Sequence, residues 1–135
     1  MKYFLVIFNL TLLSFASNPF DTLDQKYNHP IHSKRFNIAY QLALKGNIHA
    51  QFNVAMMYGT GKHVTKNIQQ AFNWLHKSAF NGHIQAKYLI GLSFKQGIGV
   101  KVDRGLAKYW FKKAAKSGHP RAIAQLQKLK NSHNK

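Results

Sequence analysis

Eight histidines, three acids and a set of loop glycines are the residues of this 135-residue chain whose types could carry chemistry. The acids are Asp21, Asp24 and Asp103. General acid–base work needs carboxylates held in mutual reach of a reacting group. Asp21 and Asp24 could approach each other, but no basic or nucleophilic group is patterned around them, and Asp103 stands alone before a helical stretch. No catalytic residue is expected, and an enzyme acting on cell-wall material would lack the acids it needs.

The histidines are no better placed for a metal. Ligating pairs sit close along one helix face or in a tight cluster. His29 and His32 flank Pro30, and His83 and His119 each follow a glycine, with Asn47 at the corresponding earlier place. That alternation of Asn and His suits a helix start, which takes short polar groups. Gly61, Gly97 and Gly99 lack the Gly-Lys-Ser/Thr ending of a phosphate loop and read as tight turns between helices. With no cysteine there is no disulfide, thiol nucleophile or Cys-ligated zinc. No metal and no cofactor is expected.

Charge is the strongest compositional signal. Lys and Arg number 20 against 3 acids, a formal charge of +17. Such an excess favours anionic partners and opposes compactness. Half of the 20 basic residues lie from Lys101 onward. At the other end, Lys2 precedes the apolar run Phe4 to Leu13, and Ser14-Phe15-Ala16 offers small residues before a cut after Ala16. This is the pattern of a secretory signal peptide over residues 1–16, and the run is short for a spanning helix. The expected location is therefore the periplasm or the medium, with no stable transmembrane span once the leader is removed.

The elements that hold these residues repeat at an offset of 36. Gly46, Gly82 and Gly118 fall in step, as do Ala43, Ala79 and Ala115, and Ala50, Ala86 and Ala122. Trp74 matches Trp110, Ala71 matches Ala107, and Val64 matches Val100. Each period reads as two helices. The first runs from about Ile48 to Tyr58 and again from Ile84 to Phe94; the second starts near the N-cap residues Asn67 and Asp103 and stops at Gly82 and Gly118. The predicted organisation is an irregular segment 17–33, a half unit 34–46, repeats 47–82 and 83–118, a closing helix 119–130 opened by Pro120, and a basic tail 131–135.

Ala50-Gln51-Phe52-Asn53-Val54-Ala55-Met56-Met57-Tyr58, then Gly61, Val64, Asn67, Ala71, Trp74 and Ala79, resemble a Sel1-like repeat. The second copy fits better, with Ala86, Tyr88, Ile90-Gly91, Phe94, Gly97-Ile98-Gly99-Val100, Asp103, Ala107, Trp110, Ala114-Ala115 and Gly118. The resemblance covers about Phe36 to Leu129, with His63 standing where a second loop glycine is expected and Asn67 where Asp is. It implies an all-α fold, a short α/α solenoid related in shape to tetratricopeptide repeats, and a role in holding other proteins. By that analogy the inner groove would present His49, Phe52 and Met56, then Gln85, Tyr88 and Leu92, then Arg121 and Lys128. Phe52 and Tyr88 also match the family's packing aromatic.

On a helical wheel of Arg104 to Ser117, Leu106, Ala107, Trp110, Phe111, Ala114 and Ala115 gather on one side. Lys108, Lys112, Lys113 and Lys116 gather on the other, around Tyr109, and form a candidate anion-binding face. Stepping back by 36, the stripe Lys108/Lys112/Lys116 becomes Phe72/His76/Phe80 and then Phe36/Tyr40/Leu44. Phe20, Leu23 and Tyr27 are expected to fold over that apolar end, the alternative being that a partner or a second copy covers it. The favoured reading is a non-enzymatic exported adaptor for a protein partner. The alternative is a binder of an anionic glycan, lipid headgroup or nucleic acid through the lysine-rich last third. Specific nucleic-acid recognition is disfavoured by the leader and by the lack of a base-reading motif.

Overall fold

The computed structural model describes residues 33–131; the leader, the cleavage point, Phe20, Leu23, Tyr27 and the tail beyond Asn131 lie outside them. These residues form six helices and no strand: α1 (Lys34–Leu44), α2 (Ile48–Thr60), α3 (Ile68–Phe80), α4 (Ile84–Gln96), α5 (Arg104–Lys116) and α6 (Pro120–Asn131). Each packs chiefly on its neighbours in the chain, the contact pattern of an α/α solenoid. Among the described residues no helix is long and apolar enough to cross a membrane.

The helix ends recur with the sequence period. Ser33, Asn67 and Asp103 cap α1, α3 and α5 by accepting from the backbone N–H groups of Phe36, Gln70 and Leu106. Asn47, His83 and His119 stand before α2, α4 and α6 and accept from Ala50, Ala86 and Ala122. Gly61 and Gly97 end α2 and α4 in the left-handed conformation, at φ 75° and 73°. Each loop is then closed in the same way: the N–H groups of Asn67 and Asp103 donate to the carbonyls of Tyr58 and Phe94, both at 2.9 Å. His63, standing in for glycine, takes φ 73° beside 71° at Gly99, so the first loop keeps its shape at the cost of a side chain in a region most residues avoid.

The core repeats as well. Trp74 and Trp110 are buried, and each meets the preceding second-type helix edge-on: Trp74 against Tyr40 at 5.3 Å, Trp110 against His76 at 5.6 Å. Phe36 is 2 % exposed and packs edge-on to Tyr58 at 5.2 Å; Phe72 meets Phe94 in the same way at 5.6 Å. The expected outer apolar stripe is thus corrected at its first position. Phe36 belongs to the core because the aromatic ending the next helix reaches it, while Phe80 at the far end of the stripe is 77 % exposed. On α5 the wheel holds except for Leu106, which is 43 % exposed.

Candidate functional site

The first-type helices α2, α4 and α6 carry the groove positions, and a ladder of rings fastens them together. Phe52 stacks on His83 at 4.4 Å between centroids, with planes 8° apart; 36 residues on, Tyr88 stacks on His119 at 4.4 Å and 15°. In both histidines Nδ1 accepts the helix-start N–H, so the ring proton sits on Nε2. In His119 that Nε2 lies 2.7 Å from Gln85 Oε1, to which it donates. Burial lowers the pKa of His83, and the charge of His49 lowers it further. Burial likewise lowers that of His119, followed by the nearby Arg121 charge, while a backbone hydrogen bond partly opposes them. Both rings are therefore held neutral, as caps and spacers.

His49 lies exposed, 5.1 Å from the His83 ring. Phe52 is half-buried under His83, whereas Tyr88 is 6 % exposed and covered by His119, so its ring supports the groove from beneath. Met56 and Leu92 come together, lining one apolar pocket of about 310 Å³ between α2, α3 and α4 with Ile68, Phe72 and Leu89. Arg121 and Lys128 are exposed on α6. The helix-start reading of His83 and His119 holds, but their ring faces, which fasten consecutive first-type helices, went unread. The signal was present: an aromatic at 52 and 88 in step with a ring at 83 and 119.

On α5, Lys108, Lys112, Lys113 and Lys116 are all exposed. Lys113 Nζ lies 5.3 Å from the centre of the half-exposed Tyr109 ring, whose edge meets Trp110. Asp103 is the one acid among the described residues, and its carboxylate is engaged by the Leu106 N–H at 2.8 Å. Among the described residues no three His or acidic side chains gather as metal ligands do.

The model of the Sel1 repeat matches residues 48–83 and 84–119. Among solved structures, a Sel1 repeat protein from Oxalobacter formigenes is 37% identical, with 67% of this chain and 68% of that chain covered and a TM-score of 0.65. The protective antigen c5321 of uropathogenic Escherichia coli, which displays the same type of fold, is 35% identical at TM-score 0.65; the match covers 67% of this chain but only 20% of the antigen. Cysteine rich protein B of Helicobacter pylori shares the fold at 21% identity, TM-score 0.67, over 82% and 84% of the two chains. No curated protein matches the chain by sequence.

Proposed function

Since the chain belongs to the Sel1 repeat family, whose fold commonly serves as a protein–protein interaction scaffold, we propose that it is an exported, non-enzymatic adaptor. Its partner is a protein held along the face made by α2, α4 and α6. The observation that carries this reading is the pairing of Met56 and Leu92 in one open apolar pocket, bordered by the exposed Thr60 and Gln96. Apolar anchors of this kind, rimmed by polar groups, are what a partner's side chains fill. Residues 1–16 supply the export signal in this proposal, and location in the periplasm or medium follows from it.

Affinity capture with the protein lacking residues 1–16, run at low and high salt beside Met56→Asp/Leu92→Asp, tests it. A partner retained at high salt by the parent and lost by the variant is expected. Recovery only at low salt, or equal recovery by both proteins, would overturn the adaptor reading. A second reading, binding of an anionic polymer or surface, draws on the exposure of Lys108, Lys112, Lys113 and Lys116 beside Tyr109. Changing these lysines to Gln should then weaken heparin binding at low salt and flatten its salt dependence. Equal elution of both proteins at every salt concentration would remove it.

A further inference from the structure

The apolar pocket behind Met56 has a counterpart one period later, and the two differ in their rims. The first has a floor of Ala71 and Leu75 and a rim of Gly59, Ile68 and Phe72. The second, about 530 Å³, has a floor of Ala107 and Phe111 and a rim of Lys95, Arg104 and Lys108. Each rim residue is the 36-residue equivalent of one in the first pocket, so three uncharged positions have become three cations while the floor has stayed apolar.

Folding does not account for this exchange. In the first two units the position of Lys108 holds Phe36 and Phe72, whose partners are Tyr58 and Phe94. In the third unit the equivalent pair is Lys108 and Lys130, which exchanges an aromatic contact for two like charges. The last repeat of a solenoid needs a polar outer surface, but charges of both signs provide that without mutual repulsion. Here Lys95 Nζ donates to Gln125 Oε1 at 2.9 Å, a neutral acceptor that leaves its charge uncompensated. Asp103, the one described acid, is committed to capping α5.

We infer that the cleft between the end of α4, the start of α5 and α6 is a second docking site, and that it takes an acidic segment of a partner protein that inserts an apolar side chain between flanking carboxylates. The apolar side chain packs on the half-buried Leu129 and on the stems of the rim cations, above Ala107 and Phe111, which are themselves buried and close the floor. The carboxylates meet cations from two helices, Lys95 from α4 and Arg104 and Lys108 from successive turns of α5. Arg104 offers the planar fork that a carboxylate can engage through two parallel bonds. The cleft shares α4 and α6 with the α2/α4/α6 face but none of its lining residues with the Met56/Leu92 pocket, so its test can fail while the adaptor reading stands.

The probe is a fluorescein-labelled peptide carrying one Leu-Phe pair between runs of Asp and Glu, followed by anisotropy at physiological salt. Three proteins are compared: the parent, Lys95→Gln/Arg104→Gln/Lys108→Gln, and Lys112→Gln/Lys113→Gln/Lys116→Gln, the last two having lost equal charge. Saturable binding by the parent is expected, weakened about tenfold by the rim changes, the sum of a few exposed ion pairs, and barely by the others. A peptide with Ser-Ser in place of Leu-Phe should bind as weakly as the parent peptide does to the rim variant. Equal losses in both variants would show diffuse charge attraction, and undiminished binding of the Ser-Ser peptide would show a general polyanion surface; either overturns the proposal. So would non-saturable binding by the parent, or rim-dependent retention on anionic lipid vesicles in place of the peptide.

Discussion

Where α2 meets α3 stand Ala55 and Leu75; at the equivalent place between α4 and α5 stand Gly91 and Phe111. All four are buried, and Phe111 is fully enclosed. A methyl group added at Gly91 would sit 2.6 Å from two carbons of the Phe111 ring, closer than real side chains approach. The second hairpin has thus moved volume from one helix to the other, keeping the pair and changing its members. The two copies share a backbone frame but are adapted pair by pair, so residues cannot be carried between them singly.

The comparison can be broken first at the tryptophans. Trp74→Ala and Trp110→Ala should each cost about 3–5 kcal/mol in denaturant unfolding, since both fill the space between second-type helices. A loss at one and none at the other would show that the copies do not share a core.

It is sharpened at Gly91. Gly91→Ala should destabilise by about 1–3 kcal/mol through overpacking. Adding Phe111→Leu, which recreates the Ala55/Leu75 pairing, should recover much of that loss although Phe111→Leu is itself destabilising. A double-mutant cycle measures the recovery, and simple additivity would mean that Gly91 and Phe111 are not a coupled pair.

The helix starts give a smaller contrast, because Asn47 does not titrate and His83 and His119 do. Their pKa values are lowered in the folded protein, so the unfolded chain binds protons more readily. The stability they add is fully present above the unfolded imidazole value of about 6.5 and is lost as pH falls through the lower folded values. Protonated Nδ1 would also face the helix-start N–H it now accepts, removing a cap worth about 1 kcal/mol. Unfolding followed from pH 7 downward should show this decline, and His83→Asn/His119→Asn should flatten it even if its stability at neutral pH is lower. An equal slope in the variant would assign the decline to other groups.

The smallest effect is expected at the two loops. His63→Gly relieves a left-handed side chain, a strain of order 1 kcal/mol, but loosens the unfolded chain, so a net gain of a few tenths is expected in thermal melts. A clear loss would mean that the His63 side chain makes a contact Gly99 has no need of.

Much of this architecture is legible in the sequence, because period, cap chemistry and glycine placement are local properties. The start of α3 at Asn67, the start of α5 at Asp103, Pro120 in the first turn of α6 and the packing role of Trp74 all follow from residue type and offset. What was not legible depends on rings meeting across helices. Phe36 shares its register with an exposed lysine, and only the reach of Tyr58 places it in the core. Tyr88 carries a groove position, and only the His119 ring lying over it removes it from the surface. The rim of Lys95, Arg104 and Lys108 spans two helices, and no pattern along a single helix collects it.

Four side-chain bonds between helices span the same distance along the chain: Ser78 to Ile48, Asn81 to Gln51, Lys87 to Ser117 and Lys95 to Gln125 are each 30 residues apart. No contact of this kind requires one end of the domain to find the other. Loop closures of this size are brief, so any helical hairpin can serve as a starting point and growth proceeds by addition at either edge. Unfolding reverses that path. The edge formed by α5 and α6, where Lys108 and Lys130 replace an aromatic pair, should be the first to open, and its amides the first to exchange with solvent, while α3 and α4 hold until the domain as a whole gives way.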